Sequence, residues 1–395
     1  MSSQHKPQNH QKQVTSAAPQ DQGGQNQTNQ ANDKKISRRQ FFFLIVQTQI
    51  GVGILALPYD LHIIAMQDGW ISLLIAGVLL QIVLVALWLV AKAYPQKDFF
   101  QINLEVFTKW GGRIISLIYV MYFISVGILI LLLFGRMISM WVLPNTPFWV
   151  LTLLLVVVGV YLANAGLFVI ARFYTMVSGL LLILFLLMLY SMKEMNLMYI
   201  LPVGGAGVGK IMSGVNEATL SFFGFFIILI LYSKVEGNAK EKLKTIFYAH
   251  WFTLGFYLFA VLVSYTFFST EEMKVVPEPL LYMLKSFEFP LVARIDLFFI
   301  SIWMVSVATS YTTYVYISGL GLKDLFKSEK TAVFNITVAL LSFLVAFFIG
   351  YDMNLLEKMK TLTVNAGYIS TLFFPFILLA LSFIVRKFKK TGGTG

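Results

Sequence analysis

From Phe41 to the basic run that begins at Arg386, the chain alternates long apolar blocks with short polar segments. A helix needs roughly 20 mostly apolar residues to cross about 30 Å of hydrocarbon. That ruler places spans near 40–64, 70–93, 113–138, 148–165 and 167–191, and then near 212–234, 244–268, 292–318, 332–350 and 364–386. The pattern predicts an all-α integral membrane protein of ten transmembrane helices. Between the second and third spans, Phe99, Ile102, Val106, Phe107 and Trp110 recur at helical spacing. They predict a short amphipathic helix, either lying at the inner interface or packed as a loop helix under the bundle.

Residues 1–35 break the pattern, with 13 Gln or Asn and no Leu, Ile, Phe, Tyr or Trp. So little apolar surface does not offset the entropy of ordering. This segment is read as a disordered Gln- and Asn-rich tail ahead of a membrane domain at 36–390. No short apolar region with a small-residue cleavage site precedes Phe41, so the tail is expected to be retained and cytoplasmic.

Composition agrees with a membrane chain: 58% of the 395 residues are hydrophobic and 12% charged, against roughly a quarter charged in a soluble domain. Cys is absent, which excludes disulfides, thiol catalysis and thiolate metal sites. The net charge of +11 does not mark a nucleic-acid partner, because the basic residues are spread between apolar blocks instead of clustering on one soluble face. With the N-terminus inside, 22 of the 30 Lys and Arg fall on the inner side. This bias orients the chain with both termini cytoplasmic.

Five spans per half means that the second half enters the bilayer from the opposite side. The halves, about 40–191 and 212–386, are therefore expected to form a five-plus-five inverted repeat. Such repeats hold a ligand at mid-membrane, where discontinuous helices expose backbone groups. The first span of each half is the place to look. The first reads Gln47-Thr48-Gln49-Ile50-Gly51-Val52-Gly53-Ile54-Leu55-Ala56-Leu57-Pro58. Two glycines one residue apart followed by Pro58 disfavour a continuous helix. A break over Gly51, Val52, Gly53 and Ile54 would leave N–H groups able to bind a carboxylate or another acceptor; the same glycines also suit close helix packing.

The run Ile36-Ser37-Arg38-Arg39-Gln40, leading into Gly51-Val52-Gly53-Ile54-Leu55 and Leu57-Pro58 and then Gln67-Asp68-Gly69-Trp70, resembles the B subunit of bacterial spore germination receptors. These spore-permease proteins are distant members of the amino acid, polyamine and organocation transporter superfamily. The resemblance covers about 36–390, including Leu201-Pro202-Val203 and Phe222-Phe223-Gly224-Phe225-Phe226. The glycine motif belongs to the whole superfamily, whereas the Asp68-Gly69-Trp70 context is specific to the germination group. It implies a fold with broken first and sixth helices and a central pocket for a small nutrient, an amino acid or a sugar. It also implies an A subunit and a lipoprotein C subunit as partners in the spore inner membrane, where nutrient binding triggers germination. The alternative is an amino acid secondary transporter coupled to protons or sodium. The Gln- and Asn-rich tail is not part of the family pattern.

In the sixth span Ser213, Glu217, Ser221 and Gly224 share one helical face. Glu217 is an ionisable residue within a span and so a functional candidate, although near the span's end its carboxylate also suits water. Gly224, beside Phe223, is the candidate for the second break. The eighth span carries Ser306, Thr309, Ser310 and Thr313 at helical spacing. In sodium-coupled relatives a Thr-Ser pair here helps hold the ion, and Thr309 and Ser310 could match it, while helix packing uses the same residue types. Tyr119, Tyr122, Asn365 and Tyr368 are further candidates to line the pocket, Tyr122 being the deepest. No His, Asp, Glu or Cys constellation suggests an enzyme, a metal site or a cofactor. The run Gly204-Gly205-Ala206-Gly207-Val208-Gly209-Lys210 lacks the Ser or Thr that completes a phosphate loop, and reads as a flexible outer loop.

Overall fold

The computed structural model describes residues 1–2, 35–287 and 294–391, the side chains of 389–391 excepted. The chain divides into two units, Met1–Lys35 and Ile36–Gly395. The expected tail lies almost wholly outside the described residues, and the second unit is all-α.

Among the described residues, seven helical stretches are long and apolar enough to cross a membrane: Leu57–Ala93, Lys109–Trp141, Leu167–Glu194, Ala239–Phe267, Ile295–Phe326, Thr331–Ile349 and Met353–Phe388. A 17-residue apolar helix, Phe148–Asn164, adds to them. This is a multi-pass membrane protein. Many large apolar side chains remain exposed on its flanks, among them Leu154, Val157, Tyr161, Phe348 and Ile369. Lipid is the solvent that tolerates such a surface, because every helical backbone group is already paired internally.

In chain order the helices are α1 (Arg38–Gln49), α2 (Leu57–Ala65), α3 (Gly69–Ala93), α4 (Phe99–Val106), α5 (Lys109–Trp141), α6 (Phe148–Asn164), α7 (Leu167–Val177) and α8 (Gly179–Tyr190). They continue as α9 (Val208–Ser221), α10 (Ile227–Leu231), α11 (Ala239–Phe267), α12 (Pro279–Lys285), α13 (Ile295–Phe326), α14 (Thr331–Ile349), α15 (Met353–Gly367) and α16 (Phe374–Thr391). The buried helix α13 packs on α5, α6 and α14, while α11 packs on α1 and α3, and α9 on α2 and α3.

Local chemistry sets several boundaries. Ser37 and Gln40 form a reciprocal capping box that starts α1, and Asp98 with Gln101 does the same for α4. Helix α4 is packed under the bundle: the Phe99 ring sits 4.5 Å from Tyr119 and 4.9 Å from Phe226, and Phe107 stacks on Phe374. Trp110, counted on the same stripe, belongs to α5 and is exposed. The helix of the last predicted span begins at Met353, earlier than the apolar run suggests, because Asp352 accepts from the N–H groups of Asn354 and Leu355. Helix α12 falls between the predicted spans 244–268 and 292–318, where buried Leu280, Leu281 and Leu284 hold it in place.

The glycine run before α9 also differs from its reading as a flexible loop. The fully buried Asp68 carboxylate accepts from the N–H groups of Gly204 and Ala206, both at 2.8 Å. The Gln67 amide donates to the Pro202 carbonyl at 3.3 Å. At Gly69 a Cβ would collide with the Tyr265 hydroxyl and lie 2.9 Å from Leu61 Cβ. The Asp68-Gly69 pair therefore ties the start of α3 to the entry of α9.

Candidate functional site

Two helices lose their regular backbone close to one another. Helix α1 ends at Gln49; Ile50 is extended, Gly51 has φ −142° and ψ −129°, and a 3₁₀ turn at Val52–Ile54 leads towards α2. Helix α9 ends at Ser221, and the chain resumes helical form at Ile227 after Gly224, which has φ +122°. A Cβ on Gly51 would lie 2.5 Å from Ser310 Oγ, and one on Gly224 would lie 2.9 Å from the Thr48 carbonyl oxygen. Glycine at these two points lets the interrupted segments approach each other and α13. Gly224→Ala is expected to destabilise the protein by about 1–3 kcal/mol, read as a lowered unfolding midpoint of the purified chain. An unchanged midpoint would contradict this account of the break.

Breaking a helix frees backbone carbonyls that must be satisfied inside the bundle. The Gln49 amide donates to the Phe222 carbonyl at 3.0 Å and so links one break to the other. The buried Tyr257 hydroxyl lies 2.7 Å from the Gln49 carbonyl and 3.1 Å from the Ser221 carbonyl, and donates to either. Trp303 Nε1–H donates to the Gly51 carbonyl at 3.1 Å. Ser310 Oγ donates to the Gln47 carbonyl at 3.1 Å, and Thr309 Oγ1 to Gln47 Oε1 at 3.0 Å. Ser310 thus turns its hydroxyl to the segment that faces it, while the Thr309 hydroxyl lies between Gln47 and the Ser306 carbonyl of its own helix, 2.7 Å away.

Beside the breaks lies a cavity of about 290 Å³. Of the residues singled out in the sequence, Gly51, Val52, Gly53, Glu217, Ser221, Phe223 and Ser310 line it. Ile54, Tyr122, Gly224 and Thr309 do not: Ile54 and Tyr122 are buried in the core, Gly224 faces Thr48, and Thr309 is held by Gln47. Ser306 and Thr313 are buried on α13, whereas Ser213 and Asn365 are exposed. The Tyr119 hydroxyl donates to the Ser370 carbonyl, and that of Tyr368 to the Asn216 carbonyl.

The cavity has more charged lining than the sequence suggested. Asp60, Glu278, Glu357, Arg136 and Lys360 join Glu217 in its wall, with Trp303 and Tyr314 as aromatic neighbours. Asp60 carried a legible signal, since it too is ionisable within a predicted span. Tyr257, Glu278 and Trp303 carried none. Burial pushes the Glu278 carboxyl above the usual carboxylate range, against the lowering influence of Arg136.

The family model described as spore germination protein matches residues 35–355, most of the chain. This chain belongs to the spore germination protein family. Among relatives in that family, spore germination protein YndE of Bacillus subtilis (strain 168) is 26% identical over 299 residues, which covers 75% of this chain and 82% of that protein. Spore germination protein GerQB of Bacillus cereus is 24% identical over 340 residues, covering 85% and 92% respectively.

Solved structures with the same fold are transporters. A nucleobase-cation-symport-1 family transporter, in a closed conformation with bromovinylhydantoin bound, superposes with a TM-score of 0.61 at 13% identity, over 90% of this chain and 80% of its own. A manganese transporter of Eremococcus coleocola gives 0.59 at 12% identity, over 92% and 80%. At that identity the likeness concerns the fold alone.

Proposed function

We propose that this spore germination protein is the B subunit of a nutrient germinant receptor in the spore inner membrane. In this reading the chain crosses the bilayer ten times as a five-plus-five inverted repeat, with α1–α2 and α9–α10 as the interrupted first helices of the two halves. The excess of Lys and Arg between spans on one side supports cytoplasmic termini. An A subunit and a lipoprotein C subunit complete the receptor and read its state.

The observation that carries the proposal is the meeting of the two interrupted helices at one cavity. Gly51, Val52 and Gly53 from the first break and Ser221 and Phe223 from the second share its wall. A small nutrient, an amino acid or a sugar, is held there by polar groups of the breaks and by aromatic surfaces. The broken segments are joined to α11 by hydrogen bonds from Tyr257 and to α13 by hydrogen bonds from Trp303 and Ser310. A ligand that prefers one arrangement of these segments shifts the population towards it, and the partner subunits respond.

The test is germination of spores that lack this chain, challenged with single amino acids, sugars and nucleosides and complemented with the wild-type gene. Loss of response to one nutrient, restored by complementation, is the expected result. An unchanged response to every nutrient would overturn the receptor reading. Movement of labelled solute by the purified chain alone in proteoliposomes would favour a secondary transporter.

A further inference from the structure

The charge in the cavity wall is unbalanced. Asp60, Glu217, Glu278 and Glu357 supply four carboxylates, against two cationic groups, Arg136 and Lys360. Among the described residues none of the six takes part in an ion pair. Arg136 Nη1 instead lies 2.7 Å from Met353 Sδ. The four acids come from four segments: Asp60 on α2, Glu217 on α9, Glu278 ahead of α12 and Glu357 on α15.

Glu278 separates this arrangement from an ordinary acidic surface. It is only 9% exposed, and one of its carboxylate oxygens is buried with no hydrogen-bond partner among the described residues. It occupies the N-cap position of α12 without its side chain bonding to the helix. With one carboxylate oxygen unpaired, and Arg136 acting on it only from beyond ion-pair distance, Glu278 leaves negative charge in the cavity wall to be met from outside the chain. Leaving a buried acceptor unsatisfied carries its full desolvation cost, which is larger when the acceptor is charged.

We infer that the cavity recognises a small organic cation, whose ammonium group is received between Glu278, Asp60 and Glu217. The inference rests on the nutrient-binding reading and deepens it by naming the charge of the ligand. The cavity of about 290 Å³ has room for on the order of ten water volumes. That fits a compact amine and not a large conjugate. Trp303 and Tyr314 add aromatic faces of the kind that attract ammonium groups. An inorganic cation would share the charge but, holding its hydration shell more tightly, would gain less from the aromatic rings.

The test is equilibrium binding to the purified full chain in lipid nanodiscs, using matched pairs that differ in charge: L-lysine against L-norleucine, and choline against 3,3-dimethyl-1-butanol. Calcium chloride serves as the inorganic arm. The expected result is tighter binding of the cationic member of at least one pair by about tenfold or more, with that preference reduced at least severalfold in Glu278→Gln and in Glu217→Gln. Neutral members binding as well as cationic ones would overturn the inference, as would a preference unchanged in both variants. Competition by calcium at equal strength would assign the carboxylates to a metal ion instead. If no cationic compound binds while a neutral nutrient does, the cation inference fails and the nutrient pocket stands. If binding of neither kind depends on Gly53, both fail.

Discussion

Gly53→Trp is expected to abolish nutrient binding while leaving the protein folded. A Cβ at Gly53 meets its nearest neighbour, Ser221 Oγ, at 3.8 Å. That is ordinary contact, and the backbone there tolerates a side chain. Gly53 also lines the cavity, so an indole attached at this point takes up the space a ligand requires. Affinity for the nutrient identified in the germination assay should fall on the order of 100-fold or more, equivalent to about 2.7 kcal/mol. Gly53→Ala, which adds one methyl group, should bind within a few-fold of wild type. The measurement is equilibrium binding to the purified receptor complex, with the unfolding midpoint as the control for folding. Normal binding by the Trp variant at an unchanged midpoint would place the ligand elsewhere.

Asp68→Ala should have the largest effect on stability. The Asp68 carboxylate is fully buried and accepts two backbone N–H groups, from Gly204 and Ala206. Hydrogen bonds to a charged acceptor contribute about 1.5–3 kcal/mol each, so losing both should destabilise the protein on the order of 3–6 kcal/mol. Asp68→Asn keeps one good acceptor and should fall between Ala and wild type. Thermal unfolding of the purified chain in detergent reads this order directly. The entry of α9 is tied by these bonds, and Glu217 and Ser221 follow on the same helix. Ligand affinity should therefore fall together with stability. A midpoint for Asp68→Ala equal to wild type would show that the loop is held by other contacts.

The all-α membrane class was legible because a run of apolar residues long enough to span hydrocarbon has few other stable conformations. The interruption at Gly51 was legible for a related reason, since closely spaced glycines followed by Pro58 weaken a helix wherever it is placed. Aromatic spacing predicted a helix near Phe99 but left its place open; Tyr119 and Phe226 decide that it lies under the bundle. Periodicity passed over α12 and the early start of α15. The first is only seven residues long and the second starts on polar residues, and they depend on contacts or caps that a hydropathy ruler does not register.

Much of the candidate site came from distant pairings. Tyr257 and Gln49 are 208 residues apart, and Trp303 and Gly51 are 252 apart. Nothing in either local sequence announces that one satisfies the carbonyl of the other. Thr309 and Ser310 were visible as a polar stripe, but only the fold brings their hydroxyls within hydrogen-bond reach of Gln47.

The sequence by itself determined the solvent of this protein, its helical class, the family it belongs to and one point where a helix must break. These are properties of composition, local propensity and contiguous motifs. The tertiary structure decided which freed carbonyls are satisfied and by whom, why Asp68 is followed by glycine, and that four carboxylates from four segments face one cavity. Those outcomes depend on charges and hydrogen-bond partners far apart along the chain, whose energies exist only once packing has brought them within a few ångströms in a medium without water to replace them.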